Sequence, residues 1–96
     1  MLRSFYPRNI SFKRHEQEDW LVVTGEITNN SGRNYNAVVF RMVVFIKSTP
    51  IGNAAITING FYNGQTRTFE RQIEELGYSK VVNEITRCEV YAESAY

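Results

Sequence analysis

Ninety-six residues with a net charge of +1 and 43% apolar content describe one globular domain, 1–96, able to bury roughly 65% of its unfolded surface without staples. Length excludes a second domain, and a lone cysteine, Cys88, excludes an intrachain disulfide. A domain that lives on phosphate contacts carries a basic excess and an isoelectric point above about 9; the value here is about 7.9, which argues against nucleic acid as a partner.

The opening MLRSFYPRNISFKR interrupts every apolar pair with Arg, Pro, Asn or Lys, so neither a secretion signal nor a membrane span is expected in this chain. Asn9 to Arg14 is predicted as a short first strand. Charge then segregates, with Arg3, Arg8, Lys13 and Arg14 before His15 and Glu16, Glu18 and Asp19 after it. The block HEQED is expected as a solvated turn. Trp20 to Thr28 predicts a second strand by its alternation. Leu21, Val23, Gly25 and Ile27 take the inward face, and Trp20, Val22, Thr24, Glu26 and Thr28 the outward one.

Asn29, Asn30, Ser31, Gly32 and Asn34 supply a tight connection, because Asn tolerates positive φ and Gly adopts it freely. Tyr35 to Lys47 then gives the strongest signal in the chain. Even positions Val38, Phe40, Met42, Val44 and Ile46 are all apolar, while the odd positions mix Ala37, Val39, Val43 and Phe45 with Arg41 and Lys47. Thirteen residues at about 3.3 Å each span roughly 43 Å, more than a small sandwich uses, so a bulge or bend is expected within the strand.

Ser48, Thr49, Pro50 and Gly52 predict the next turn, and Ala54 to Ile58 the next strand. Asn59-Gly60 and Asn63-Gly64 give two closely spaced turn signals. Gln65 to Ile73 predicts a strand with Phe69 inward. In Glu74 to Glu84, Leu76, Val81, Val82 and Ile85 fit a short helix and an irregular crossover equally well. Ile85 to Ser94 closes the chain as a strand with Thr86, Cys88, Val90 and Ala92 inward and Arg87, Glu89, Tyr91 and Glu93 outward. Short strands with turns at this spacing predict an all-β fold, an immunoglobulin-like antiparallel sandwich of about six or seven strands with room for a short helix near residues 75–84.

The run Val23-Thr24-Gly25-Glu26-Ile27-Thr28-Asn29-Asn30-Ser31, the long apolar strand after it, Ile51-Gly52-Asn53-Ala54, and Gly64-Gln65-Thr66-Arg67-Thr68-Phe69 together resemble the FxLYD family of prokaryotic immunoglobulin-like domains. The resemblance covers Trp20 to Phe69 and the final strand. The naming motif falls on Met42-Val43-Val44-Phe45-Ile46, where Met and Val replace the first Phe and the Leu, Phe replaces Tyr, and the Asp is absent. The resemblance implies a sandwich found in secreted or envelope-associated prokaryotic proteins, with no catalytic residues to carry over.

Candidate chemistry is sparse, and no catalytic residue, metal ligand or cofactor is predicted. His15 has carboxylates nearby but lacks the second His of H-E-x-x-H and any Cys pair. Cys88 on inward parity behaves as a small hydrophobe, since a nucleophile needs an electropositive, accessible setting and a base. Gly25 inside a strand marks a bulge or a side chain crossing closely above it. Asn9-Ile10-Ser11 and Asn29-Asn30-Ser31 match the glycosylation pattern at a frequency near chance for an Asn-rich chain.

Two surfaces qualify as binding sites. Asn59, Phe61, Tyr62, Asn63 and Gln65 combine flat faces with amides that suit a glycan or peptide, unless the aromatics plug the end of the sandwich. Trp20, Val22, Val39, Val43 and Phe45 form an exposed apolar stripe if their strands lie together, bounded by Glu26, Arg41 and Lys47. That stripe would be covered by the chain's own Phe5, Tyr6, Ile10 and Phe12 or by a protein partner, including a second copy. The expected role is therefore a non-enzymatic interaction or spacer module, with a glycan- or peptide-binding module as the alternative.

Overall fold

A computed structural model describes residues 4–96. Six strands run β1 Phe5–Arg14, β2 Trp20–Asn29, β3 Tyr35–Ile46, β4 Thr49–Phe61, β5 Thr66–Gly77 and β6 Arg87–Ala95, with one short helix, α1 Tyr78–Val81, between the last two. They form two antiparallel three-stranded sheets, β1-β2-β5 and β4-β3-β6, packed face to face as an all-β sandwich.

The parity of each strand decides what lies between the sheets. On β3 the even positions Val38, Phe40, Met42 and Val44 are 0–1% exposed, while Ile46, at the strand end, is half-buried. From the other sheet Leu21, Val23, Ile27, Phe69 and Ile73 face them. Apolar surface removed from water contributes about 25 cal/mol per Å², and in a chain that cannot form an intrachain disulfide this core carries the fold. Phe5, Phe40 and Phe61 meet as an aromatic cluster, the Phe5 ring edge-on to Phe40 at 5.3 Å between centroids and 5.9 Å from Phe61.

The long strand keeps its full run because its irregularities sit on its neighbours. The register shifts opposite Val44/Phe45, skipping Ile51 on β4, and opposite Val39/Phe40, skipping Glu93 on β6. The bulge expected within the long strand therefore lies instead on its partners, and β3 itself passes through unbroken. Gly25 lies where Ile10 and Phe69 cross β2: an added Cβ would come within 2.7 Å of Ile10 Cδ1 and 2.8 Å of Phe69. A substitution there must displace packed core, which costs typically about 1–3 kcal/mol.

Five local expectations change. The first strand begins at Phe5 instead of Asn9; Pro7 is tolerated because β1 lies at a sheet edge, where a missing N–H costs no ladder bond. Pro50 and Gly52 lie inside β4, and the β3–β4 turn is only Lys47-Ser48. Lys47 takes φ 56°, and its carbonyl is held by Arg87 Nη1 at 3.1 Å and Thr86 Oγ1 at 3.3 Å. Asn59-Gly60 is strand, with Gly60 at φ 62°, whereas Asn63-Gly64 is a turn as expected. Glu74 to Glu84 divides between the end of β5 and α1, and β6 begins at Arg87 because Thr86 is occupied with the β3–β4 turn.

Helix α1 has no capping side chain of its own. Asp19 caps it from the β1–β2 turn, its carboxylate accepting the Ser79 N–H at 3.1 Å and the Ser79 hydroxyl at 2.5 Å. The Ser79 hydroxyl bond holds the Asp19 carboxyl below its usual value of 3.8. This contribution to stability is in place above that value and is lost as pH falls through the lowered folded one.

Candidate interaction surfaces

The inward parity of β2 does not stop at its apolar residues. It continues from Leu21, Val23, Gly25 and Ile27 to Asn29, which is fully buried. The side-chain amide donates to the carbonyls of Arg33 and Phe61, each at 3.0 Å, and its oxygen accepts the Ser31 N–H at 3.0 Å and the Ser31 hydroxyl at 2.6 Å. Two donors and two lone pairs are thus all used, as burial of an amide demands. The Asn29 backbone bonds Gln65 at 2.9 Å and Gly64 at 2.7 Å. One residue thereby clips the β2–β3 loop to the β4–β5 loop.

Further amides close the same end. Gly32 N–H donates to Asn63 Oδ1 at 2.8 Å, Asn63 N–H to Asn34 Oδ1 at 2.9 Å, and Tyr62 N–H to Gln65 Oε1 at 2.9 Å. Of the five residues predicted as a ligand loop, the structure brings Tyr62, Asn63 and Gln65 together but engages both side-chain oxygens, that of Asn63 across to the β2–β3 loop and that of Gln65 within its own loop. Phe61 is fully buried and belongs to the core. Asn59 lies back on the exposed side of β4, its carbonyl accepting Arg67 Nη1 at 3.2 Å. Tyr62 alone projects, 49% exposed. Burial of Asn29, with its amide fully bonded, also removes Asn29-Asn30-Ser31 as a glycan acceptor in the folded chain, and the Asn9 amide donates to Glu26 at 2.6 Å.

The predicted apolar stripe does not assemble. Trp20 and Val22 face outward from the β1-β2-β5 sheet, and Val39, Val43 and Phe45 face outward from β3 in the other sheet, so the two groups lie on opposite faces of the sandwich. Each group is shielded locally. Val22 is 3% exposed between Lys13 and Gln72 on the neighbouring strands. The Trp20 ring packs 5.1 Å from His15. On β3, Arg87 places its guanidinium 3.9 Å over the Phe45 ring. Between Val39 and Val43, Arg41 holds Glu93 through Nε and Nη2 at 3.2 and 3.1 Å and Asn53 at 3.0 Å.

Long side chains of this kind lay aliphatic stems on apolar surface while their charges stay in water. The chain's own N-terminal segment is therefore not the cover. Phe5, Ile10 and Phe12 of the N-terminal segment pack into the core between the sheets, and Tyr6 is 39% exposed.

His15 works as a turn former. Its Nδ1 accepts the N–H groups of Gln17 at 3.1 Å and Glu18 at 3.3 Å. Cys88 is half-buried, and desolvation pushes its thiol up to about 11, so at neutral pH it is the thiol and not the nucleophilic thiolate. Among the described residues no three His, Cys, Asp or Glu side chains converge as a metal site would require, and no helix is long and apolar enough to cross a membrane.

The signal that identifies Asn29 was available in the sequence: a polar residue on the inward parity of a strand, followed at once by Asn-Ser. Composition alone made it one turn former among five.

Fold and surfaces together define a small β-sandwich module with a locked loop end and two side-chain-covered outer faces. No protein-family model and no curated protein matches the chain.

Proposed function

We propose that this chain is a non-enzymatic interaction or spacer module, immunoglobulin-like in type, that serves as one part of a larger or multi-component prokaryotic system. The connectivity supports the type. The first, second and fifth strands share one sheet and the third and sixth share the other, as in immunoglobulin domains, although the fourth lies beside the third. The FxLYD resemblance supports it from sequence and favours an envelope or secreted setting.

One observation carries the reading: the side-chain oxygens of Asn63 and Gln65, best suited to grip a small ligand, are bonded to the fold itself. A module of this kind works through its surface. The half-exposed ring of Tyr62 favours the second reading, a glycan- or peptide-binding module at the loop end.

Screening wild type and Tyr62→Ala side by side on glycan and peptide arrays decides between them. The interaction-module reading expects no array ligand that depends on Tyr62. A ligand bound by wild type and lost on Tyr62→Ala moves the function to the loop.

A further inference from the structure

The sandwich has four sheet edges, and three are built against further pairing. The β1 edge carries Pro7, which has no N–H to offer, and is broken at Asn9, φ 55°, where its pairing with β2 shifts register. The β4 edge is capped by side chains from β5. Arg71 Nε donates to the Ala55 carbonyl at 3.0 Å, and Arg67 Nη1 donates to the carbonyls of Asn59 and Gly60 at 3.2 and 3.3 Å. Those same arginines fill the seam along the β5 edge.

Between Arg87 and Ala92 the β6 edge has none of these devices; its one register shift, at the skipped Glu93, lies toward the end of the strand. It contains no Pro, no Lys and no residue at positive φ. Arg87 to Ala92 pairs with β3 without interruption. Among the described residues, no group bonds its outer side. Alternate N–H and C=O groups of such a strand point away from its partner, where another strand can take them. Cys88 and Val90, on the core side, stay half-buried, and Ala92 is exposed, because β6 is the outermost strand.

We infer that this edge is an interface for a second copy of the chain, the two β6 strands pairing antiparallel about Val90 to join the β4-β3-β6 sheets into one; the inference rests on the interaction-module reading and gives it a partner. Charge complementarity selects the occupant and the register. In a two-fold antiparallel pair, residues opposite each other share a face. Centred on Val90, Arg87 faces Glu93 of the second copy twice over, and Glu89 faces Tyr91. On the core side Val90 meets Val90 and Cys88 meets Ala92, all apolar.

The adjacent registers fail. Centring on Tyr91 sets Glu89 against Glu93 twice, and centring on Glu89 sets it against itself. In its own chain Glu93 holds Arg41 at 3.1 Å and Arg87 holds Glu89 at 2.9 Å, so Arg87 of the second copy against Glu93 joins the two pairs into one row of alternating charge on the outer face. A single edge buries less than a standard interface, as weak, transient contacts do.

Sedimentation equilibrium across a concentration series tests this with Arg87→Glu, Glu93→Arg and an equimolar mixture of the two. Wild type should dimerise. Each variant alone sets like charges opposite each other at two points and should weaken dimerisation about tenfold or more. The mixture should restore it as a heterodimer. There the carboxylate introduced in one variant meets the guanidinium introduced in the other, and the unchanged Glu93 of the first meets the unchanged Arg87 of the second. Thermal melts verify that both variants are folded. Where one is not, amide exchange of wild type at low and high concentration replaces it, with slowing confined to residues 87–93 expected. A wild type that stays monomeric at hundreds of micromolar overturns the pairing, and so does a mixture that fails to recover dimerisation, or slowing that falls elsewhere. None of these outcomes alters the array result with Tyr62→Ala, so failure of the edge and failure of the module reading remain distinguishable.

Discussion

Asn29→Asp is expected to destabilise the fold by roughly 2–6 kcal/mol, although it exchanges a single NH₂ for an oxygen. The substituted carboxyl still accepts from Ser31, but the carbonyls of Arg33 and Phe61, each now bonded at 3.0 Å, would face an acceptor. Leaving a buried polar group unmatched costs about 1–3 kcal/mol, and more where a charge is involved; the Phe61 carbonyl is orphaned in a buried site, the part-buried Arg33 carbonyl keeps only the Ser31 hydroxyl at 3.3 Å, and the new carboxyl sits where Asn29 has no exposure to water. For a domain of this size each kcal/mol lowers the melting temperature by about 4–8 °C. Thermal melts of wild type and Asn29→Asp measure the effect. A shift of only a few degrees would mean that the loop end is not held by this amide.

Phe40→Ala should cost about 3–5 kcal/mol, a large part of the total stability of a small domain, roughly 5–15 kcal/mol. Phe40 is 1% exposed and touches both other rings of the aromatic cluster, Phe5 at 5.3 Å and Phe61 at 6.2 Å between centroids. Truncation removes the transfer energy of the ring and leaves a cavity that two sheets cannot collapse to fill. Phe45→Ala, on the opposite parity of the same strand and half-buried under Arg87, should cost only about 1 kcal/mol. Urea denaturation of both variants measures the contrast. Comparable losses at the two positions would contradict the assignment of even residues to the core.

The core was legible in the sequence because period-two patterning is dictated by burial on one face. Val38, Phe40, Met42 and Val44 could be read from alternation alone, as could Leu21, Val23, Ile27 and Phe69. Gly25 was legible for a related reason: a missing side chain within an alternating run implies a neighbour that needs the space, and Ile10 and Phe69 fill it.

What was not legible depends on which sheet each strand joins. Alternation says that Trp20, Val22, Val39, Val43 and Phe45 point away from a core, but it is silent on whether two outward faces are the same face. Nor does it register cover supplied across strands, as Arg87 covers Phe45 and Arg41 reaches Glu93 and Asn53. Pro50 and Gly52 read as a turn because turn chemistry and an irregular edge strand use the same residues. The bonding of the candidate ligand loop was not legible for a similar reason. Asn59, Asn63 and Gln65 carry amides suited to a ligand, and the sequence does not reveal that Gly32, Asn34 and Arg67, the first two on a separate loop, already engage that end of the molecule.

Hydrogen exchange of the loop-end amides tests most directly the claim that the polar groups at this end serve the fold and not a ligand. The N–H groups of Gly32, Tyr62, Asn63, Gly64 and Gln65 are each bonded within the protein. In the isolated protein they should therefore exchange about a hundredfold or more slowly than in an unfolded chain. Exchange at unfolded-chain rates across these five, with the β3 amides fully protected, would contradict the account: the loops would then be open, their amides free for a ligand.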